Sequence, residues 1–567
     1  MNVCNVHCIR LQLSSSRNVV EFIYYFILLL DSLSENGLQN YFGKKMSGKV
    51  QVRLVRCMSG QAASKMNLPA ALCRRLRDIT PDAYGTLRKM MIQMERSSCL
   101  GSSLELTAQE LAANRVLKRI KCKELETGFQ NPSQFTPGHH IYDVLQKVKR
   151  SPLFRLLQDM PKGGLLHAHD TALCSTDFLI DLTYRENLWI CTANEGCQAI
   201  AFRFSQSEPV LKAVADCRWQ PMSEYRDQHG ELKVRNYLRK RFTMYPFTNF
   251  VSTNEAWRKF MSIFTLLDGL LLHAPVWADY YYNALREMHA DGVQYLELRS
   301  LIPNLYSLDG SKLSMENTVQ IYKAETERFL KHHPDFIGAK LIYAPLRGVQ
   351  SKVVEKYVED CIALNKKFPN FLIGFDLVGQ EEMGRPLVDF VNPLLKMPEH
   401  INFYFHSGET NWFGTSIDEN LIDAILLGTK RIGHGYAVVK HPVAMELAKK
   451  LDIPIEVCPV SNQVLQLGHD YRNHPAAMLI ANNVPIVIAS DDPSFWHASP
   501  LTHDFYFAFL GIAPYTADLR LLKHLAMSSL KYSGLTAEEQ TKALEKWKKK
   551  WDEWVACVIE KAEGYAD

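Results

Sequence analysis

The stretch MPKGGLLHAHD, residues 160–170, contains an apolar run that ends in two histidines. Side chains two positions apart on a strand point to the same side, so His167 and His169 face a common centre if this run is a strand. Two adjacent imidazoles are half of a zinc site, although paired histidines on strands are also found simply packed or solvated. The interpretation of this pair therefore depends on the strands that follow it.

After Met160, short apolar runs alternate with longer segments of helical periodicity, which predicts βα units around a parallel sheet. There are eight candidate strands in chain order: Leu165–His169, Val293–Arg299, Lys340–Ala344, Leu372–Val378, Asn402–His406, Arg431–His434, Ile453–Cys458 and Pro485–Ser490. Eight such units build a (β/α)8 TIM barrel, whose active site lies at the C-terminal ends of the strands. We therefore predict an α/β fold with a TIM barrel over residues 161–560.

Polar residues follow several of these strands at the ends where a barrel performs chemistry. The fifth strand ends in HSGET (His406–Thr410), the sixth in GHG (residues 433–435), and the eighth in SDDP (residues 490–493). Three imidazoles and one carboxylate are suitable ligands for one Zn²⁺ with an open position for water. The predicted metal ligands are His167, His169, His406 and Asp491.

Metal-assisted hydrolysis also needs an acid that protonates the substrate and a base for the water. Glu409, three residues past His406, is the candidate acid, and His434 is the candidate base. Asp492 can hold the substrate by hydrogen bonding. Taken singly, Glu409 or Asp492 is also explained as a carboxylate that caps a loop.

Other residues are weaker candidates for a substrate pocket. Gly379 ends the GFDLVG stretch, where a bare backbone can approach a flat ligand or simply form a turn. Trp257 and Trp412 are possible pocket walls, although tryptophans more often belong to a core.

More than a hundred residues separate the first and second candidate strands, which predicts an inserted subdomain at about 185–250. This segment contains Cys191, Cys197 and Cys217. A disulfide such as Cys191–Cys217 suits an insertion in an oxidising compartment, and three free thiols are the alternative.

The N-terminal part of the chain divides into a leader at 1–90 and a helical region at 91–160. The apolar run within Val19–Leu33 fits a secretory signal, whereas the basic, acid-free residues 36–77 resemble a transit peptide; an unstructured or mis-started leader is a third interpretation. Helical periodicity over Leu104–Glu124 predicts an amphipathic helix that packs on the barrel or forms a dimer arm.

Composition excludes several classes of protein. A net charge of +4 over 567 residues, without a basic track, argues against nucleic acid and favours a small-molecule substrate. The longest apolar run is too short for a stable membrane span. The 13 cysteines include no C-x-x-C pair, so a zinc ribbon is not indicated. The P-C-x-x-C ligands of cytidine-deaminase-type enzymes are also missing.

These motifs together resemble the adenosine deaminase superfamily and, within it, the adenosine-deaminase-related growth factors, which are extracellular enzymes. The matching stretches are MPKGGLLHAHD, GFDLVGQE, HSGET, TKRIGHG, PIEVCPVSNQVL and SDDP, and the similarity runs from about Leu104 to the end. The resemblance implies the same zinc ligands and the same roles for Glu409, His434 and Asp492. It also implies that Gly379, Asp170, Trp257 and Trp412 contact the nucleoside.

The resemblance further implies a homodimer formed by an N-terminal helical region, a Cys191–Cys217 disulfide in the insertion, and secretion, with a cell-surface receptor or glycosaminoglycan as a possible partner. Two features depart from the family. Tyr343–Arg347 follows the third strand where relatives often carry a histidine near the ribose, and no N-x-[ST] glycosylation acceptor occurs.

The predicted reaction is the hydrolysis of adenosine and 2'-deoxyadenosine to inosine and deoxyinosine with release of ammonia. Growth-factor-like signalling would then arise through adenosine depletion. One alternative is an aminohydrolase of AMP or of a methylated adenosine, for which Arg347 is the one candidate phosphate ligand. The other alternative is a receptor-binding growth factor in which catalysis is incidental.

Overall fold

The computed structural model describes residues 80–193, 200–210 and 217–562. The chain divides into two units, Met1–Cys99 and Leu100–Asp567. In the first unit, helix α1 (Pro81–Ser98) begins at Thr80, whose side chain accepts a hydrogen bond from the Ala83 backbone. The rest of the predicted leader, up to residue 79, lies outside the described residues, and so does any signal or transit segment.

The second unit is built on eight parallel strands that close into a barrel. The strands are β1 (Gly163–His169), β5 (Val293–Ser300), β6 (Gly338–Tyr343), β7 (Leu372–Phe375), β8 with β9 (Asn402–Phe403 and His406–Ser407), β10 (Ile432–His434), β11 (Ile455–Val457) and β12 (Ile486–Ile488). They pair in the orders β1-β5-β6-β7-β8 and β9-β10-β11-β12. A parallel bridge between Ala168 and Asp491 joins the last strand to the first, so the predicted TIM barrel is confirmed.

The barrel strands are short apolar segments that are buried along their length, as the sequence pattern predicts. Each of the eight candidate strands is present, although most differ by one to a few residues at their ends. The fifth strand is interrupted between β8 and β9, but Tyr404 still donates to Phe375 O and Gly433 donates to Phe405 O, so the wall continues. The interruption therefore leaves the position of His406 fixed.

Helices surround the barrel and connect its strands. In the second unit they are α2 (Ala108–Gln130), α3 (Ile141–Arg150), α4 (Pro152–Gln158), α5 (Thr176–Leu182), α6 (Met222–His229), α7 (Glu231–Arg241), α8 (Thr253–Leu271), α9 (Ala274–Ala290), α10 (Met315–His332), α11 (Ser351–Lys367), α12 (Val391–Leu394), α13 (Asn420–Leu426), α14 (Pro442–Lys450), α15 (Pro459–Val464), α16 (Ala476–Ala481), α17 (Thr502–Phe507), α18 (Leu519–Lys531) and α19 (Ala537–Glu560).

The helix predicted over Leu104–Glu124 is α2, and it packs against the C-terminal helix α19. A capping box at Thr107 starts it, because Thr107 and Glu110 satisfy each other's backbone donors. Glu110 also accepts from Trp551 Nε1 at 2.8 Å and pairs with Lys523 Nζ at 2.8 Å. Helix α2 is therefore anchored to the barrel unit, and its proposed part in a dimer stays a prediction.

The described residues between β1 and β5 fold into helix α5, a separate small sheet and four further helices. Strands β2 (Leu188–Ala193), β3 (Ile200–Phe204) and β4 (Cys217–Pro221) form an antiparallel sheet in the order β3-β2-β4. Cys191 and Cys217 are joined by a disulfide across β2 and β4, so the pairing implied by the family resemblance is present. Helices α6 to α9 then lead the chain back to β5.

Candidate active site

A cluster of buried histidines and one aspartate lies at the C-terminal ends of the barrel strands. His167 and His169 end β1, His406 begins β9, His434 ends β10, and Asp491 follows β12. Asp491 Oδ1 lies 3.2 Å from His167 Nε2 and 3.0 Å from His169 Nε2, and Asp491 Oδ2 lies 3.9 Å from His434 Nε2. The ring centroids of His167 and His406 are 4.5 Å apart. The structure thus brings together all four predicted metal ligands and places His434 beside them.

The backbone holds Asp491 against the histidine strand. Its amide donates to His167 O at 3.1 Å, and its carbonyl accepts from His169 N at 3.2 Å. Asp491 has φ +61° and His434 has φ +59°, a region that residues other than glycine seldom adopt. Strained residues of this kind cluster at functional sites, where the surrounding structure enforces them.

Behind the histidines lies a layer of buried charges that sequence reasoning missed. Glu456 Oε2 is 2.7 Å from His167 Nδ1, and Asp376 Oδ2 is 2.6 Å from His406 Nδ1. Arg299 bridges the two carboxylates, with Nε 2.7 Å from Asp376 and Nη2 2.7 Å from Glu456. Carboxylates in this position orient metal-binding histidines and fix their tautomers.

This layer could have been detected from one signal in the sequence. Asp376 in GFDLVG and Glu456 in PIEVCP are lone acids within apolar strand segments. A charge in a buried strand needs a partner, and an inward-facing partner in a barrel is another strand's side chain. The partners themselves depend on how the barrel closes.

The cluster fits a divalent cation. Because Nδ1 of His167 and of His406 faces a carboxylate, their Nε2 lone pairs are directed into the cluster. His167 Nε2 is buried without a hydrogen-bond donor and instead lies near Asp491 Oδ1, which also only accepts. One group of ligand atoms, all within 4.8 Å of one another, comes from His167, His406, His434 and Asp491. A second group with the same spacing comes from His169, Asp491 and Asp492.

Charge states within the cluster favour ligation. Burial lowers the pKa of His406 to about 4, so its imidazole is neutral. Burial alone would raise the pKa of Asp491, but the histidines around it hold it well below its usual value. Neutral imidazole and ionised carboxylate are the forms that bind a metal ion.

Glu409 is a buried carboxyl group beside this cluster. Its Oε1 lies 3.5 Å from His434 Nε2 and has no hydrogen-bond partner. Burial, followed by repulsion from Asp491, raises its pKa well above the usual value. The backbone amides of Gly408 and Glu409 donate to Glu381 at 3.2 and 2.9 Å, which fixes the loop. A carboxyl group with a raised pKa can serve as a proton donor, which is the role predicted for Glu409.

Asp492 is a second buried acid. Burial, and then the adjacent Asp491, raises its pKa well above the usual value, and its Oδ1 has no partner. A protonated carboxyl group can donate a hydrogen bond to a ring nitrogen as well as accept one. His434, by contrast, has its pKa lowered well below 6.5 by burial, so it is neutral.

The remaining predicted substrate contacts are less closely tied to the cluster. Asp170 is buried and accepts from Ser300 Oγ at 2.7 Å. Gly379 has φ +106°, and a Cβ atom there would meet Leu346 Cδ2 at 3.8 Å. Trp257 is 7% exposed and packs edge-on against Phe260, which is the packing role that a tryptophan often has. Trp412 is 61% exposed and lies outside the buried cluster.

Arg347, the candidate phosphate ligand, is fully buried. Its Nη1 pairs with Glu381 Oε2 at 3.3 Å, and its Nη2 donates to His406 O at 3.2 Å. The guanidinium is thus buried and paired with Glu381, and it is not exposed at the pocket rim.

Histidines, a buried aspartate and a buried glutamate gather at the strand ends of this TIM barrel. This arrangement is typical of the class of metal-dependent hydrolases. Within that class, the family model described as adenosine deaminase matches residues 225–550, and the adenosine/AMP deaminase N-terminal model matches residues 71–157. The chain belongs to the adenosine deaminase family, as the sequence resemblance implies.

Curated relatives extend this similarity over nearly their whole lengths. An adenosine deaminase of Lutzomyia longipalpis is 49% identical, covering 85% of this chain and 94% of the relative. Adenosine deaminase 2 of Homo sapiens is 38% identical, covering 87% and 98%. The solved structure of an Arabidopsis N6-mAMP deaminase, 16% identical, shares the fold with a TM-score of 0.51 over 70% of this chain and 99% of its own.

Proposed function

We propose that this protein is a zinc-dependent adenosine deaminase that converts adenosine and 2'-deoxyadenosine, with water, into inosine and deoxyinosine and ammonia. The observation that carries the proposal is the buried Glu409 carboxyl group beside the cluster of candidate metal ligands, with Glu409 Oε1 3.5 Å from His434 Nε2. The names of the relatives, adenosine deaminase and adenosine deaminase 2, support adenosine as the substrate.

Zinc is the proposed metal because it accepts a set of imidazole nitrogens and one carboxylate oxygen. His167, His169, His406 and Asp491 would hold one ion per chain. When bound, a zinc ion would lower the pKa of a coordinated water toward neutrality and so supply the nucleophile.

The protein side chains would divide the proton transfers between them. Glu409 gives its proton to the ring nitrogen next to the amino-bearing carbon, while neutral His434 takes a proton from the attacking water. A carbon–oxygen bond forms, the amino nitrogen takes up the proton held by His434, the carbon–nitrogen bond breaks, and ammonia leaves. The second proton of the water returns to Glu409 as the carbonyl of the product forms. Asp492 would hold the purine by hydrogen bonding, and Gly379, Asp170, Trp257 and Trp412 are proposed further contacts of the nucleoside.

A nucleoside is favoured over AMP by the state of Arg347. Its guanidinium is buried and paired with Glu381, so it does not offer a charge to a phosphate. A phosphate site would need an exposed or unpaired cation that forms a bidentate contact. We therefore expect AMP to be a poor substrate.

Secretion and dimerisation belong to the same proposal. The Cys191–Cys217 disulfide suits an oxidising compartment, and none of the described helices is long and apolar enough to cross a membrane. We propose an extracellular homodimer in which residues 91–160 supply the dimer contact, and signalling that arises from adenosine removal. The division into a leader at 1–90, a helical region at 91–160, and a barrel at 161–560 with an insertion at 185–250 stays part of this proposal.

A substrate panel tests the proposal. Zinc-loaded protein is incubated with adenosine, 2'-deoxyadenosine or AMP, and ammonia and product nucleosides are quantified. We expect the two nucleosides to be consumed and AMP to be spared. Preference for AMP would overturn the nucleoside assignment, and consumption of none of the three would favour the alternative of a receptor-binding growth factor.

A further inference from the structure

Two histidines and an aspartate meet on the face of the barrel opposite the candidate active site. His289 lies in the last turn of α9, His333 directly follows α10, and Asp335 precedes β6. One ligand atom from each of the three residues lies within 4.8 Å of the others. We propose that His289, His333 and Asp335 form a second site for a divalent transition metal such as Zn²⁺, separate from the active site.

The location keeps this site apart from the catalytic cluster. Both connections lead into the N-terminal ends of strands, α9 into β5 and the loop of Asp335 into β6. The catalytic residues lie at the C-terminal ends, and the eight residues of β5 span roughly 25 Å. A metal ion in one site therefore cannot share ligands with the other.

The three side chains are held in position before any metal binds. His333 stacks on Phe329 with ring centroids 4.2 Å apart, and His289 packs edge-on against the same ring at 6.0 Å. The two imidazoles lie 4.9 Å apart without a hydrogen bond between them. His289 Nε2 is 2.9 Å from Asp335 Oδ2. Ligands of one zinc ion are at most about 4 Å apart, so only a small movement would close the site.

The loop that carries Asp335 is itself fixed by α19. Lys546 Nζ donates to Pro334 O at 2.8 Å and to Phe336 O at 3.0 Å, and Phe336 N donates to His333 O at 3.0 Å. The backbone on both sides of Asp335 is thus tied down. Preorganised ligands on such a frame favour metal binding because less conformational entropy is lost.

Charge also favours a cation here. Burial and the neighbouring His289 lower the pKa of His333, so the ring is neutral near pH 7. Burial alone would raise the pKa of Asp335, but the hydrogen bonds from His289 and Lys550 hold it below its usual value, so the carboxylate is ionised. Lys550 Nζ, 3.3 Å from Asp335 Oδ2, competes with a metal for that carboxylate.

Two imidazoles and a carboxylate suit zinc and the neighbouring first-row divalent ions, with water completing the coordination. A bound ion would cross-link the end of α9 to the α10–β6 loop. A ligand that binds only the folded state stabilises that state. Zinc should therefore raise the thermal stability of the protein through this site as well as through the active site.

The test is the zinc content per chain of the full-length protein after equilibrium dialysis at a fixed free zinc concentration. His333→Phe removes the ligand nitrogen and keeps the ring stacked on Phe329. His332→Ala is the matched control, because His332 is the exposed neighbour whose Nδ1 contacts Tyr282 Oη and which lies outside the cluster.

We expect wild-type protein and His332→Ala to bind one more zinc ion per chain than His333→Phe, while His333→Phe keeps its catalytic rate. Lys550→Gln should lower the zinc concentration at which this extra ion binds. Equal zinc content in wild-type protein and His333→Phe would overturn the proposal, and so would loss of the ion in His332→Ala. The difference between the variants does not depend on whether the active site binds zinc, so a failure here is separate from a failure of the proposed function.

Discussion

Glu456→Gln tests the buried charge layer behind the candidate metal ligands. Glu456 is fully buried, and its carboxylate lies 2.7 Å from His167 Nδ1, 2.7 Å from Arg299 Nη2 and 2.5 Å from Arg431 Nε. The amide keeps the shape of the side chain, removes its charge, and leaves two buried guanidinium groups with weaker partners. Removal of one partner from a buried ion pair costs about 3 to 5 kcal/mol of unfolding free energy.

The same substitution should also weaken metal binding. His167 would lose the carboxylate that orients its ring, and such a loss lowers metal affinity roughly 10- to 100-fold. The two effects are separated by measuring urea unfolding of metal-free protein and zinc affinity of folded protein. The control is Glu538→Gln, since the Glu538 side chain is 79% exposed and an exposed pair with Lys542 contributes little.

The pH dependence gives a further check on this variant. Burial alone would raise the pKa of Glu456, but Arg299 and Arg431 hold it well below its usual value. A carboxylate with a lowered pKa stabilises the fold at neutral pH, and this contribution is lost as the pH falls below the usual glutamate range. Glu456→Gln should therefore flatten the acid limb of the stability curve. The charge layer has no role in stability or in metal binding if two results are found together. The unfolding free energy of metal-free Glu456→Gln would lie within about 1 kcal/mol of the wild-type value, and the folded variant would bind zinc as tightly as the wild type.

Three further predictions concern other parts of the second unit. Asp492→Asn keeps a hydrogen-bond donor, so its KM for adenosine in steady-state kinetics should be roughly 3- to 10-fold lower than that of Asp492→Ala. Equal KM values for the two variants would exclude a donor role. Asp418 accepts from the backbone amides of Gly414 and Thr415 and from His441, and these bonds outweigh burial and lower its pKa to about 2. Its stabilisation, roughly 2 kcal/mol at neutral pH, should be lost as the pH falls from about 4 to 2, and Asp418→Asn should abolish that dependence in acid-unfolding curves. Cys217→Ser opens a disulfide that spans 26 residues, which should cost the insertion about 3 kcal/mol and speed its limited proteolysis; unchanged proteolysis would refute a stabilising role.

The barrel and the clustering of the candidate metal ligands were predictable because each signal is local. Alternating short apolar runs and helical segments indicated the eight strands, and the polar residues at their ends were in the sequence motifs themselves. Once strand ends are known, the barrel topology brings His167, His406 and Asp491 to one face, since all parallel strands end there. This part of the prediction required no knowledge of side-chain contacts.

The charge layer and the second histidine cluster were not predictable in the same way. Arg299, Asp376 and Glu456 lie on three different strands, and their pairing depends on how the barrel closes and on which side chains face inward. Similarly, His289 and His333 are separated by 44 residues in sequence and meet only through the packing of α9 against α10. The three-stranded sheet of the insertion was also missed, because β3 and β4 carry Arg203 and Arg218 among their apolar residues and do not form a continuous apolar run.

The most direct test of the proposed function is the rate at which zinc-loaded, full-length protein converts adenosine to inosine, compared with Glu409→Gln at equal zinc content. Removal of a general acid lowers the rate by roughly 10²- to 10⁴-fold. We predict rapid deamination by the wild type and a loss of that size in the variant, with unchanged zinc binding and thermal stability. If wild-type protein with its zinc bound leaves adenosine untouched, or if Glu409→Gln deaminates adenosine at the wild-type rate, the proposed chemistry is wrong.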